Sequence, residues 1–229
     1  MKIEMYRRTE NGRPLTSTVW RPGPGHRAIS SATLGGGIGS AGWVLNAQVP
    51  GTYARMDPAE HLRELAAAYG LQGPGVGMLT AASVDRTVER SDSGVAVSAT
   101  VGLRVPTWAA APPDAVDPEL APIQDIQTPG TVNIVVSVPV PLTDAALVNA
   151  VITATEAKTQ ALMEAGYPCT GTASDAICIV TPETPGAPET LSPKAADPFA
   201  GPRSTWGSRL ARAVHAAVRD GAIDYTTHL

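Results

Sequence analysis

A chain of 229 residues, 43% apolar and only 4% aromatic, suits one domain over residues 1–229 with a core built mainly from Ala, Val, Ile and Leu. Its formal charge of -4 offers no basic face for a phosphate backbone, which excludes nucleic acid as an expected partner. No apolar run approaches a membrane span and the N-terminus shows no secretory pattern, so no membrane partner is expected and the address is cytoplasmic.

With 22 glycines and 21 prolines, many turns and two long irregular segments are expected. The first 26 residues read as short strands broken at Asn11-Gly12, at Pro14 and at Pro22-Gly23-Pro24-Gly25. A strand from Arg27 to Ser31 opens onto the glycine-rich loop Leu34-Gly35-Gly36-Gly37, and 43–49 reads as the next strand. Asp57-Pro58-Ala59-Glu60 starts a helix, with Asp57 as its cap and Glu60 in the positive first turn. Leu62, Leu65, Ala66 and Tyr69 form the apolar stripe of that helix, and Gly70 ends it. Strands follow at 76–83 and 94–103, the second alternating at Val95, Val97 and Ala99. The Pro-rich stretch 106–129 reads as a loop or flap, and 131–138 as a Val/Ile strand with Asn133 set into it. Thr143-Asp144 opens the longest helix, which runs to about Ala165. A strand at 175–180, a second Pro-rich loop at 182–203 and a helix at 204–219 complete the chain. Several strands adjoin without a helix between them. The class is therefore α+β, a layered sheet-and-helix sandwich rather than a doubly wound parallel sheet.

A lysine stands out on the long helix. At 100° per residue the apolar arc holds Leu147, Val148, Val151, Ile152, Ala154, Ala157, Ala161 and Leu162, with Asn149, Thr153, Glu156 and Gln160 opposite. Lys158 falls between Leu147 and Val151, near the middle of the apolar arc, and Thr155 lies one step round. A lysine there must snorkel, pair with a carboxylate or line a polar cavity, because an unpaired buried ammonium is costly. Ala150, Ala154, Ala157 and Ala161 form a small-residue ridge suited to close packing, so the helix is expected to be largely buried.

Other residues carry weaker signals. Cys169 and Cys178 flank an apolar strand and read as small buried hydrophobes. His26, His61, His215 and His228 make no ligand cluster, and His-Glu-x-x-His, Cys-x-x-Cys and Gly-x-Ser-x-Gly are all absent. Neither metal nor cofactor is expected. Gly37-Ile38-Gly39-Ser40-Ala41-Gly42 approximates a dinucleotide motif but precedes a strand instead of a helix. A tight turn near a substrate and a plain strand-to-strand loop both remain open for it. The stretch Thr170-Gly171-Thr172-Ala173-Ser174-Asp175 can present oxygen and amide groups to a ligand or make an ordinary turn.

Taken in order, several segments resemble the adenosylcobinamide amidohydrolase family over nearly the whole chain. They are Arg27-Ala28-Ile29-Ser30-Ser31-Ala32 with Leu34 to Gly37, Asn46-Ala47-Gln48-Val49-Pro50, Asp57-Pro58, and Val76-Gly77-Met78-Leu79-Thr80-Ala81-Ala82. Pro129-Gly130-Thr131-Val132-Asn133-Ile134, Leu142-Thr143-Asp144 through Thr155-Glu156-Ala157-Lys158, Thr170 to Ala176, and Phe199-Ala200-Gly201-Pro202 continue the match. The chain departs from the pattern at Arg104-Val105-Pro106-Thr107-Trp108, where Ser-Asn-Ala-like residues are expected.

The resemblance implies a corrinoid substrate, with hydrolysis of adenosylcobinamide to adenosylcobyric acid and aminopropanol in corrinoid salvage for cobalamin biosynthesis. A corrinoid carrier or sensor without turnover, and a hydrolase of an unrelated amide, are the rival readings. Amide hydrolysis needs an activated nucleophile, a proton donor and oxyanion stabilisation. On this reading Asp175 or Glu156 activates water or a hydroxyl and Lys158 stabilises charge. Thr131, Asn133, Thr170, Gly171 and Thr172 supply hydrogen bonds. Asn46, Asp57, Thr80, Thr155, Gly35 and Gly36 complete the substrate pocket. Residues 130–138, the helix after them and 171–179 also resemble the self-processing aminopeptidase and ornithine acetyltransferase folds, which are four-layer αββα sandwiches. Thr131 or Asn133 falls near the nucleophile of those folds, and self-cleavage is not expected here. A homo-oligomer is compatible with the sequence.

Overall fold

A computed structural model describes residues 1–114, 130–183 and 196–228. Among them the elements run β1 (Ile3–Glu10), β2 (Arg13–Trp20), β3 (His26–Ser30), β4 (Gly37–Ser40), β5 (Val44–Gln48), α1 (Pro58–Ala68) and β6 (Val76–Thr80). Then come β7 (Val88–Asp92), β8 (Val95–Val101), β9 (Val132–Ser137), α2 (Asp144–Glu164), β10 (Ala176–Pro182) and α3 (Thr205–Thr227). The strands form two sheets, ordered β1-β2-β5-β6 and β4-β3-β10-β9-β8-β7. Among the described strands only β5/β6 and β9/β10 pair in parallel. This is the mixed sheet-and-helix fold that the pattern of elements predicts. Residues 115–129 of the flap read at 106–129 and 184–195 of the second Pro-rich loop lie outside the described residues.

Alternation along the strands sorts the core into separate clusters, because successive strand side chains point to opposite faces. Val95, Val97, Ala99, Val132, Ile134, Val136, Ile177 and Ile179 pack with residues of α2 and α3. Their alternates Val135, Ala176, Cys178 and Val180 instead join Trp20, Val44, Val76 and Met78 of the four-stranded sheet. Val19, Leu45 and Ala47, on the other face of that sheet, pack with Leu62, Leu65 and Ala66 of α1. Cys169 and Cys178 are free and buried, as expected, and burial pushes the Cys178 thiol up to about 12.

Several local expectations are corrected. Pro14 does not break the first strand region. It sits inside β2, whose pairing with β5 reaches only Ser17–Trp20, so one side of Pro14 faces no ladder partner. Asn11 (φ 50°) and Gly12 (φ 75°) close the β1–β2 hairpin as a two-residue turn, and Ser93 (φ 47°) with Gly94 (φ 97°) does the same between β7 and β8. Strand β7 was not foreseen: Val88-Glu89-Arg90-Ser91-Asp92 is polar because it lies on a sheet edge, with Glu89, Arg90 and Ser91 exposed and Val88 and Asp92 partly buried. Gly37 to Ser40 is edge strand β4, not loop. Asp57 makes no side-chain cap; its carboxylate is held by Arg55 instead. The last helix continues past Arg219 to Thr227.

The wheel of α2 also needs turning. Its buried face is Ala146, Leu147, Ala150, Thr153, Ala154, Ala157, Lys158, Ala161 and Leu162. Val148 and Ile152 are exposed, while Thr153 is buried and donates to Ala200 O at 2.9 Å. The alanine ridge is thus the centre of the contact face, because small side chains let the neighbouring sheet and α3 approach closely, and the larger apolar residues fall to one side.

On α1, His61 is buried and its Nδ1 lies 3.1 Å from Tyr53 Oη. Burial, opposed by Glu10 and assisted by Arg55 and Arg8, holds its pKa below the ordinary imidazole value. The unfolded chain therefore takes up this proton first. Stability is complete above the unfolded value of about 6.5 and is lost as pH falls through it toward the folded value. Denaturant titrations at pH 7.5 and 5.5 should show this loss, and His61→Gln should reduce it.

Candidate functional site

The most deeply buried ion pair joins α2 to the start of β10. Lys158 Nζ donates to Asp175 Oδ2 at 2.5 Å, with the two side chains only 8% and 10% exposed. Thr172 N donates to the same oxygen at 3.1 Å, while Val132 N (2.9 Å) and Thr172 Oγ1 (2.5 Å) donate to Oδ1. Four donors therefore occupy the carboxylate, which leaves little capacity to take a proton from water. Asp175 instead clamps three segments together: α2, the 170–175 loop and the entry to β9. Gly171 (φ 151°) lies against the pair, where any Cβ would collide with Asp175 Oδ2 and come within 2.5 Å of Lys158 Nζ. The loop is pinned from outside by Thr107, whose N donates to Gly171 O and whose O accepts from Thr170 N and Thr170 Oγ1. Thr131 Oγ1 and Ser174 Oγ meet at 2.9 Å beside the clamp.

A second group of polar side chains lies between the sheets. Asn46, Thr80, Ser98, Thr100 and Asn133 are all at most 5% exposed. Asn133 Nδ2 donates to Asn46 Oδ1 (2.8 Å) and Leu79 O (2.9 Å), and Asn46 Nδ2 donates to Thr100 Oγ1 at 3.0 Å. Asn133 Oδ1 is buried and has no hydrogen-bond partner among the described residues. Period-two spacing puts Gln48, Ala82, Gly102 and Thr131 one layer further along the same strand directions. Gln48, Ala82 and Gly102, with Gly130 beside Thr131, line a cleft of about 240 Å³ together with Ser83, Arg86, Arg104, Tyr225 and His228.

Of the residues singled out in the sequence, Lys158, Asp175, Thr131, Thr170, Gly171 and Thr172 thus fall in one neighbourhood, and Asn46, Thr80 and Asn133 in the adjoining polar layer. Others do not join them. Glu156 is exposed on α2 and borders a groove with Gln160, Pro202 and His215; Thr155 is exposed and donates to Val151 O. Asp57 is exposed at the start of α1. Gly35 and Gly36 line a separate groove with Trp43, Gly73 and Gly75, and a Cβ on Gly35 would collide with Gly75 O. Those glycines let two loops touch. Thr100 and Ser98 were missed, although their period-two alternation with Val97 and Ala99 signals one polar face of β8. Arg86, Tyr225 and His228 carry no local signal, since only the packing of α3 brings them to the cleft.

The buried layer between the sheets is built of neutral amides and hydroxyls, and the buried charges of Lys158 and Asp175 compensate each other, whereas the cleft itself is lined by Arg86, Arg104 and His228 as well as by Gln48 and Ser83. A family model described as adenosylcobinamide amidohydrolase matches residues 2–228, and the chain belongs to that family. It is 28% identical over 191 residues to the adenosylcobinamide amidohydrolase of Methanosarcina mazei, covering 83% of this chain and 88% of the relative. It is 33% identical over 201 residues to the adenosylcobinamide amidohydrolase of Halobacterium salinarum, covering 86% and 80% respectively.

Proposed function

We propose that the chain hydrolyses the side-chain amide of adenosylcobinamide to give adenosylcobyric acid and aminopropanol, as a cytoplasmic step of corrinoid salvage. The observation that carries this reading is the family match across residues 2–228. The geometry supports it in a particular way. A cleft of about 240 Å³ is smaller than the pockets of roughly 300–1,000 Å³ that engulf a drug-sized ligand. It accommodates one peripheral arm of a corrinoid while the macrocycle stays outside, and the scissile amide lies on such an arm. In this reading Thr131 and Ser174 present hydroxyls to the reacting amide, and the polar layer around Asn46, Thr80 and Asn133 lies beneath it. Lys158 and Asp175 hold Val132 and the 170–172 loop in place. Glu156, Thr155, Asp57, Gly35 and Gly36 take no part. The three core clusters would stack as a four-layer αββα sandwich, with the cleft at one end of the inter-sheet seam.

Among the described residues no helix is long and apolar enough to cross a membrane. The rival reading, corrinoid binding without turnover, draws on the pairing of Lys158 with Asp175, which leaves that ammonium no free charge to offer a transition state. Incubation with adenosylcobinamide separates the two. Mass spectrometry should find the carboxylate product and free aminopropanol in stoichiometric amounts. Tight corrinoid binding with no product would select the carrier reading.

A further inference from the structure

The walls of the 240 Å³ cleft carry donors that the fold leaves unspent. Gln48 Oε1 accepts from Thr16 N at 3.2 Å, and a backbone N–H can only donate, so Nε2 is the end of that amide left over. Arg86, in the 3-10 turn Val84–Arg86, gives Nε (2.7 Å) and Nη2 (2.5 Å) to the Asp224 carboxylate. That pairing fixes the guanidinium plane and leaves Nη1 over. Tyr225 packs against the core cluster of α2, α3 and the six-stranded sheet while also lining the cleft. Burial and Tyr167 push its phenol up, against the opposing charge of Arg104, so at neutral pH the hydroxyl is protonated and can donate. Gln48 Nε2, Arg86 Nη1 and Tyr225 Oη have no hydrogen-bond partner among the described residues. All three residues are partly buried cleft-lining residues, so a ligand in the cleft reaches them.

A cleft walled by donors from β5, the 84–86 turn and α3 suits an oxygen acceptor, and on an amide arm that acceptor is the carbonyl oxygen. We propose that Gln48, Arg86 and Tyr225 hold the carbonyl oxygen of the scissile amide, most tightly when it becomes an oxyanion. The inference rests on the hydrolase reading above and assigns residues to its oxyanion stabilisation. As water adds to the carbonyl carbon, the C=O π pair moves onto the oxygen that the three donors hold. Its return breaks the C–N bond. The amine leaves with both protons of the water, and the carboxylate stays in the cleft. Asp224 is a positioning residue here: it holds Arg86 in place before the substrate arrives, so little reorganisation is needed as charge develops.

The test uses the full chain with Tyr225→Phe, which keeps the packed ring and removes only the hydroxyl. An unpartnered hydroxyl contributes no internal bond, so the melting temperature should be unchanged. Turnover of adenosylcobinamide, followed by mass of the carboxylate product, should fall about a hundredfold, mostly in kcat. Gln48→Glu is the second variant. It keeps an oxygen for Thr16 N but sets a second oxygen, in place of the NH2, against the carbonyl, and turnover should fall at least as far. Either variant folded and within a few-fold of normal kcat overturns the proposal. So does a lowered melting temperature for Tyr225→Phe, which would give the hydroxyl a structural role. Failure of the unaltered protein to cleave adenosylcobinamide is a separate result: it removes the hydrolase reading, and this assignment with it.

Discussion

Lys158→Met is expected to destabilise the protein by about 3–5 kcal/mol, because it removes one partner of a buried ion pair and leaves the Asp175 carboxylate without its countercharge. Three other donors remain on that carboxylate, but Val132 N, Thr172 N and Thr172 Oγ1 together carry no full positive charge. Asp175 then has to take up a proton or draw in water, and either change loosens the 170–175 loop. The double variant Lys158→Met with Asp175→Asn should recover part of the loss, since it leaves no uncompensated carboxylate. Thermal and denaturant unfolding measure both. A Lys158→Met variant of normal stability with turnover down a hundredfold or more would assign the lysine to the reacting atoms instead. Normal stability with normal turnover would mean that the ammonium reaches solvent.

Gly171→Ala should be comparably disruptive for a different reason. At φ 151° an alanine is strained, and its methyl would occupy space held by Asp175 Oδ2 and Lys158 Nζ. The loop cannot yield outward easily, because Gly171 O and Thr170 N are both hydrogen-bonded to Thr107. Backbone strain and overpacking, at about 1–3 kcal/mol each, give an expected loss of roughly 2–6 kcal/mol. Turnover should fall with it, since Thr172 and Ser174 are carried on the same loop. Alanine at Gly166, which has open space around it and a positive φ of 90°, is the control for strain alone. A melting temperature for Gly171→Ala equal to that of the Gly166→Ala control would refute the close approach.

What was legible in the sequence is what depends on near neighbours along the chain. The strand and helix segments announce themselves through periods of 2 and 3.6, and the family resemblance lies in short ordered motifs. Lys158 showed itself as a charge on an apolar arc, and the structure gives it a buried carboxylate. The same periodicity misled where contact came from two directions. A wheel centred on the bulky residues made Val148 and Ile152 core, whereas α2 is approached by a sheet and by α3, and the alanine ridge faces both. Asp57 had every local feature of a helix cap, yet the guanidinium of Arg55 claims its carboxylate.

The sequence by itself determined the family and most of the elements in their order, but not the edge strands β4 and β7. Only the tertiary structure decided the site. Lys158 and Asp175 are 17 positions apart and Asn46 and Asn133 are 87 apart, so their pairing depends on strand order and on two sheets meeting face to face. The Oδ1 of Asn133, unpartnered among the described residues, belongs to that level too. Whether a polar atom has a donor depends on every group around it in space, and no spacing along the chain encodes that.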